Sequence, residues 1–183
     1  MPLHDFQRLN VLVVDDNQHM LSLMEGILRG LGFRNIFAVK DPEKAFAEMR
    51  ITPMDLAFVD WEMQPLTGLE FVNLVRTAKD SPNIYLPIIM LTANTQTANV
   101  IKARDTGVNE YLAKPVSPKS VYQRIVSLIE NPRGFVRTES YFGPDRRRHR
   151  TDYKGLERRK STPEIEGPNG TPLGDDPANA AGS

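Results

Sequence analysis

The stretch Leu56-Ala57-Phe58-Val59-Asp60 decides how the chain reads. Four apolar residues without polar alternation mark a strand buried on both faces, as at the centre of a parallel sheet. The carboxylate that ends the run falls where open α/β sheets place their ligands, outside the carboxyl ends of the strands. Val11-Leu12-Val13-Val14 repeats the pattern and ends in the pair Asp15-Asp16. If the two strands are neighbours, three carboxylates converge on one small volume. Like charges that close are costly unless neutralised, so the cluster asks for a hard divalent cation.

Outward from that stretch, apolar strands alternate with amphipathic helices, the pattern of a parallel sheet covered on both faces. Strands are expected at about Asn10–Val14, Asn35–Val39, Leu56–Val59, Pro87–Leu91 and Glu110–Leu112. The first helix carries Met20, Leu21, Met24, Ile27, Leu28 and Leu31 on one face, with Gly32 as its stop. Asp41 caps the second, with Pro42 in its first turn. Gly68 opens the third, the weakest covers about Thr95–Arg104, and the last starts near Pro118 and ends before Asn131-Pro132. Right-handed crossovers leave few layouts for such a chain, and Asp15, Asp16, Asp60, Thr92 and Lys114 then gather along one sheet edge.

Size and composition bound the rest. With 183 residues and 40% hydrophobic content, one domain with a tail is the default. No cysteine is present, which excludes disulfides, thiolate metal sites and a cysteine nucleophile. The N-terminus, Met1-Pro2-Leu3-His4-Asp5-Phe6, lacks the regions of a signal peptide, and the run Leu86–Leu91 is too short to span a bilayer. A cytoplasmic protein is expected. The histidines His4, His19 and His149 show no metal-ligand spacing.

With Asp15-Asp16, Asp60, Thr92-Ala93, Tyr111 and Lys114-Pro115 in order, the body resembles a two-component receiver domain of the CheY type over residues 8–131. The loop from Asp60 to Gly68, with Met63, is similar as well. The resemblance implies a flavodoxin-like, doubly wound, five-stranded parallel sheet of order 2-1-3-4-5. It implies that Asp60 takes a phosphoryl group from a histidine kinase or phosphotransfer protein. Mg²⁺ would be held by Asp15, Asp16, Asp60 and the backbone carbonyl of Glu62, with Lys114 and Thr92 meeting phosphoryl oxygens and Tyr111 turning inward as readout. No separate enzyme activity is implied. Two departures stand out: Pro65 lies one position later than the family's usual proline, with Gln64 in its place, and Glu62 adds a fourth carboxylate near the site.

The formal charge of zero conceals an asymmetry: −2 over residues 1–132, +6 over 133–160 and −4 over 161–183. The basic segment, residues 132–160, contains an imperfect repeat, Gly143-Pro144-Asp145-Arg146-Arg147-Arg148 and Gly155-Leu156-Glu157-Arg158-Arg159-Lys160. Arginine grips phosphate bidentately and pairs with guanine O6 and N7, while Asp145 and Glu157 suit the guanine N1 and N2 donors and Tyr141 offers a stacking face. The segment is similar to that of CheY-like cyclic di-GMP effectors, which implies cyclic di-GMP as ligand and the flagellar motor switch as partner. Nucleic-acid binding and a solvated linker remain the alternatives. Residues 132–160 are expected to be disordered alone, and 161–183 to form a disordered Pro/Gly-rich acidic end.

Overall fold

The computed structural model describes residues 5–93, 105–138, 141–145, 164–167 and 170. Five parallel strands, β1 (Asn10–Val14), β2 (Asn35–Val39), β3 (Leu56–Asp60), β4 (Ile88–Thr92) and β5 (Glu110–Ala113), form one sheet of order β2-β1-β3-β4-β5. β3 lies at its centre, as its unbroken apolar run requires. Side chains alternate between the faces with period two. Leu12, Val14, Ala57, Val59, Ile88 and Met90 enter one core cluster, and Val11, Val13, Leu56, Phe58, Ile89 and Leu91 the other.

Among the described residues, these faces are covered by α1 (Gln18–Gly30), α2 (Pro42–Ile51), α3 (Gly68–Thr77) and α4 (Pro118–Glu130). Leu21, Met24, Ile27 and Leu28 of α1 join Val121 and Ile125 of α4 on one side. Ala45, Phe46 and Met49 of α2 join Phe71, Val72 and Val75 of α3 on the other. Each start has a local cause. The Asn17 and Asp41 side chains accept from backbone N–H groups of the first turn, and Thr67 and Glu70 form a capping box. Gly32, at φ +102°, takes the left-handed position that ends α1. The expected helix at Thr95–Arg104 lies outside the described residues.

No strand was expected after Asn131, yet three short ones are present: β6 (Phe135–Arg137), β7 (Phe142–Pro144) and β8 (Glu164–Glu166). They pair antiparallel in the order β7-β6-β8. Phe135 is buried, and its ring meets those of Tyr85 and Phe142 with centroids 5.1 and 5.5 Å away. This small sheet docks on the body beside Gly107, where a Cβ on Gly143 would come within 2.8 Å of the Gly107 Cα. Three-residue strands carry too little periodicity to be read in advance. Phe6, ahead of β1, is buried and stacked on Phe33 at 4.7 Å.

Candidate functional site

Register builds the site. Val14 lies beside Val59 and Thr92 beside Ala113, so Asp15, Asp60, Thr92 and Lys114 emerge together at the carboxyl edge of the sheet. A backbone bond from Lys114 N–H to the Thr92 carbonyl, 2.8 Å, ties two of these positions directly. One carboxylate oxygen each from Asp15, Asp16 and Asp60 lies within 4.8 Å of the others. Asp15 is fully buried, Asp60 is 5% exposed, and Asp16 is exposed.

Each carboxylate is held differently. Asp60 Oδ1 accepts from the Trp61 N–H at 2.8 Å and pairs with Lys114 Nζ at 2.8 Å. Asp15 Oδ1 accepts from the Asn17 N–H at 2.9 Å, while among the described residues its buried Oδ2 has no hydrogen bond and lies 3.5 Å from Lys114 Nζ. Asp16 Oδ2 accepts from the Gln64 N–H at 3.2 Å. A proline at position 64 would have no N–H to give, so the displaced Pro65 has a concrete consequence. The Gln64-Pro65 and Lys114-Pro115 bonds are both cis. Glu62 is exposed and its side chain stands outside the three-carboxylate cluster.

The electrostatics follow from three acids facing one base. Burial raises Asp60 above the usual carboxylate value and the neighbouring Asp15 adds to it, against the lowering effect of Lys114. Burial likewise raises Asp15, against the Asn17 N–H and Lys114. Burial acts to lower Lys114, but its bond to Asp60 and the charges of Asp60 and Asp15 outweigh that and raise it. Lys114 offsets one of three negative charges, so the pocket favours a further cation. The unsatisfied Asp15 Oδ2 and the all-oxygen donor set fit Mg²⁺.

Thr92 is buried at the end of β4. Tyr111, beside Met90 in register, is half-buried and packed on the core cluster of the α2–α3 side. Trp61 packs on the same cluster. Two features of the site escaped the sequence reading. Gly68 is more than a helix opener: a Cβ there would overlap the Asp60 carbonyl oxygen, so the loop folds back directly onto the peptide of Asp60. The backbone N–H groups of Trp61 and Gln64 also hold carboxylates, which side-chain types cannot reveal.

The tail residues fare differently. Asp145 is half-buried and its N–H donates to the Gly134 carbonyl at 2.7 Å. The Tyr141 hydroxyl donates to the Pro144 carbonyl at 2.8 Å and sits against Gly143, which gives the ring a packing role in the small sheet. Arg146, Arg147, Arg148, Glu157, Arg158 and Arg159 lie outside the described residues, as do His4 and His149. Among the described residues no helix is long and apolar enough to cross a membrane.

Comparison with known proteins agrees with this geometry. Residues 11–126 match the response regulator receiver domain. The chemotaxis protein CheY of Pseudomonas aeruginosa is 30% identical over 126 residues, which are 69% of this chain and all of that protein. The solved structure of Vibrio cholerae CheY4 superposes with a TM-score of 0.60 at 27% identity, over 64% of this chain and 96% of its own. The receiver domain of a Pseudomonas aeruginosa sensor histidine kinase, solved with a magnesium ion coordinated in its active site cleft, gives a TM-score of 0.57 at 30% identity, over 65% and 94%. A central strand ending in a lysine-paired aspartate, on a sheet of order 2-1-3-4-5, thus places this chain in the response regulator receiver family of two-component signalling.

Proposed function

We propose that the chain is a single-domain response regulator that accepts a phosphoryl group on Asp60 from a histidine kinase or phosphotransfer protein. The observation that carries the reading is the Lys114 Nζ to Asp60 Oδ1 contact of 2.8 Å inside a cluster of three carboxylates. Trp61 N–H and Lys114 both engage Oδ1, which supports attack through Oδ2. The Oδ2–P bond forms as the bond from phosphorus to the histidine nitrogen breaks, and that nitrogen keeps the electron pair. Asp15, Asp16, Asp60 and the Glu62 carbonyl would hold Mg²⁺, whose bound charge offsets the phosphoryl oxygens. Lys114 then pairs with a phosphoryl oxygen, Thr92 hydrogen-bonds another, and Tyr111 follows Thr92. Incubation with acetyl phosphate and Mg²⁺ should add one phosphate to the intact protein, and Asp60→Asn should abolish the adduct. An adduct that persists in Asp60→Asn would overturn the assignment.

A second input is proposed for the basic segment: cyclic di-GMP bound through Arg146, Arg147, Arg148, Arg158 and Arg159, with Asp145 and Glu157, in a cytoplasmic protein acting at the flagellar motor. One structural feature favours it. Gly143-Pro144-Asp145 is built into the small sheet, so the first arginine run leaves from a fixed base. Calorimetry on the full chain should show saturable binding, and Arg147→Ala with Arg159→Ala should remove it. Binding unchanged in that double variant would sink the idea.

A further inference from the structure

The small C-terminal sheet meets the body at the amino-terminal ends of β4 and β5, the opposite end of the large sheet from Asp60. Its seat is built around Arg76, the only buried base among the described residues. The guanidinium donates to the carbonyls of Gly107, Ile84 and Leu86 at 3.1, 2.7 and 2.8 Å and to Asn109 Oδ1 at 3.0 Å. Its flat face lies 5.2 Å from the centre of the Phe135 ring. Asn109 Oδ1 also accepts from the Ile88 N–H at 3.0 Å, so one side chain fixes the start of β4 against the residue before β5. The first residue of β5, Glu110, is buried and pairs with Arg133, 3.2 Å away, from the linker that leads into β6. Arg124 of α4 reaches the same carboxylate at 3.6 Å.

β5 has four residues and is therefore held at both ends. Its start is gripped by Asn109, Glu110 and the docked sheet. The residue after its end, Lys114, is the cation of the Asp60 site. A strand this short, pinned in register with β4 between Ile89 and Thr92, passes a shift at one end to the other, because packed interiors yield little.

We propose that Arg133 and Phe135 are positioning residues for the phosphoryl site, acting through β5 on Lys114. The docked sheet holds β5 where Lys114 reaches Asp60, and so favours the phosphorylated form. This rests on Asp60 being the phosphoacceptor. Coupling of this kind is reciprocal, so occupancy of Asp60 must also tighten the docking of the sheet.

Beryllofluoride with Mg²⁺, a stable stand-in for the aspartyl phosphate, tests both directions in the full chain. Bound to wild type and followed by Trp61 fluorescence, it should lose about fivefold in affinity in Arg133→Ala and in Phe135→Ala. Arg133→Lys, which keeps the charge opposite Glu110, should restore it. Arg50→Ala, which breaks a surface ion pair with Asp80 remote from β5, controls for general destabilisation and should bind as wild type. Thermal melts establish that each variant is folded. In wild type, beryllofluoride should slow hydrogen exchange at the Thr138 and Asp145 amides, which donate to the Tyr141 and Gly134 carbonyls within the extension. Wild-type affinity in both Arg133→Ala and Phe135→Ala overturns the coupling and leaves Asp60 as acceptor. Failure of the wild type itself to bind removes the functional reading, and the coupling with it.

Discussion

Asp15 is the residue at which stability and function pull apart. Its carboxylate is fully buried, one oxygen lacks a hydrogen bond among the described residues, and burial raises its pKa, so the folded chain disfavours the charge that a cation needs. Asp15→Asn removes that charge at nearly constant shape. Without Mg²⁺ the variant should be about 1 kcal/mol more stable than wild type in urea, while Mg²⁺ affinity, read from Trp61 fluorescence, should fall about tenfold. Gly68 is constrained for a different reason. A methyl group there would overlap the Asp60 carbonyl, and relieving the overlap must move either the loop or Asp60. Gly68→Ala should cost about 1–3 kcal/mol in urea denaturation and also reduce labelling by acetyl phosphate. Gly68 was legible as a helix start because an apolar helical face, Leu69, Val72 and Val75, begins directly after it. The contact with Asp60 was not, because it joins residues that only the folded loop brings together.

At the scale of elements, the small sheet is held by aromatic packing and by one hydrogen-bonded triad. The Tyr85 hydroxyl donates to Glu166 of β8, and Arg137 of β6 pairs with the same carboxylate at 3.3 Å. Arg137 also lies over the Phe142 ring, 4.2 Å from its centre. Burial and then the Glu166 carboxylate raise Tyr85 above its ordinary value of 10.0. An acid raised on folding keeps its proton longer in the folded chain. The triad therefore contributes fully below the unfolded value, and the contribution is lost as pH climbs through the folded one. Melting temperature should fall more steeply above about pH 10 in wild type than in Tyr85→Phe, which has no proton to lose. Equal slopes would show that Tyr85 does not anchor the sheet.

For the whole molecule, the docked sheet changes what truncation means. A chain ending at Asn131 loses Arg133 from Glu110, Phe135 from Arg76 and Tyr85, and Gly143 from Gly107. Its melting temperature should drop by at least about 4 °C relative to the full chain, measured by calorimetry. Loss of a ligand on such truncation would not by itself locate the binding site, which is why the arginine substitutions are the sharper test. The large sheet and the residues gathered at its carboxyl edge were legible, because each strand is an apolar run and parallel topology sends every strand end to one edge. Asp15, Asp16, Asp60, Thr92 and Lys114 could thus be grouped before any distance was known. The sequence by itself determined the fold class, the strand order through its family likeness, and the residue types of the acidic site, since burial pattern and register act locally or repeat along the chain. Only the tertiary structure decided that Gln64 N–H holds Asp16, that Arg76 is a buried hub, and that β6 and β7 dock on the body. Those contacts depend on backbone groups and on pairs far apart in the chain, and neither leaves a period in the sequence.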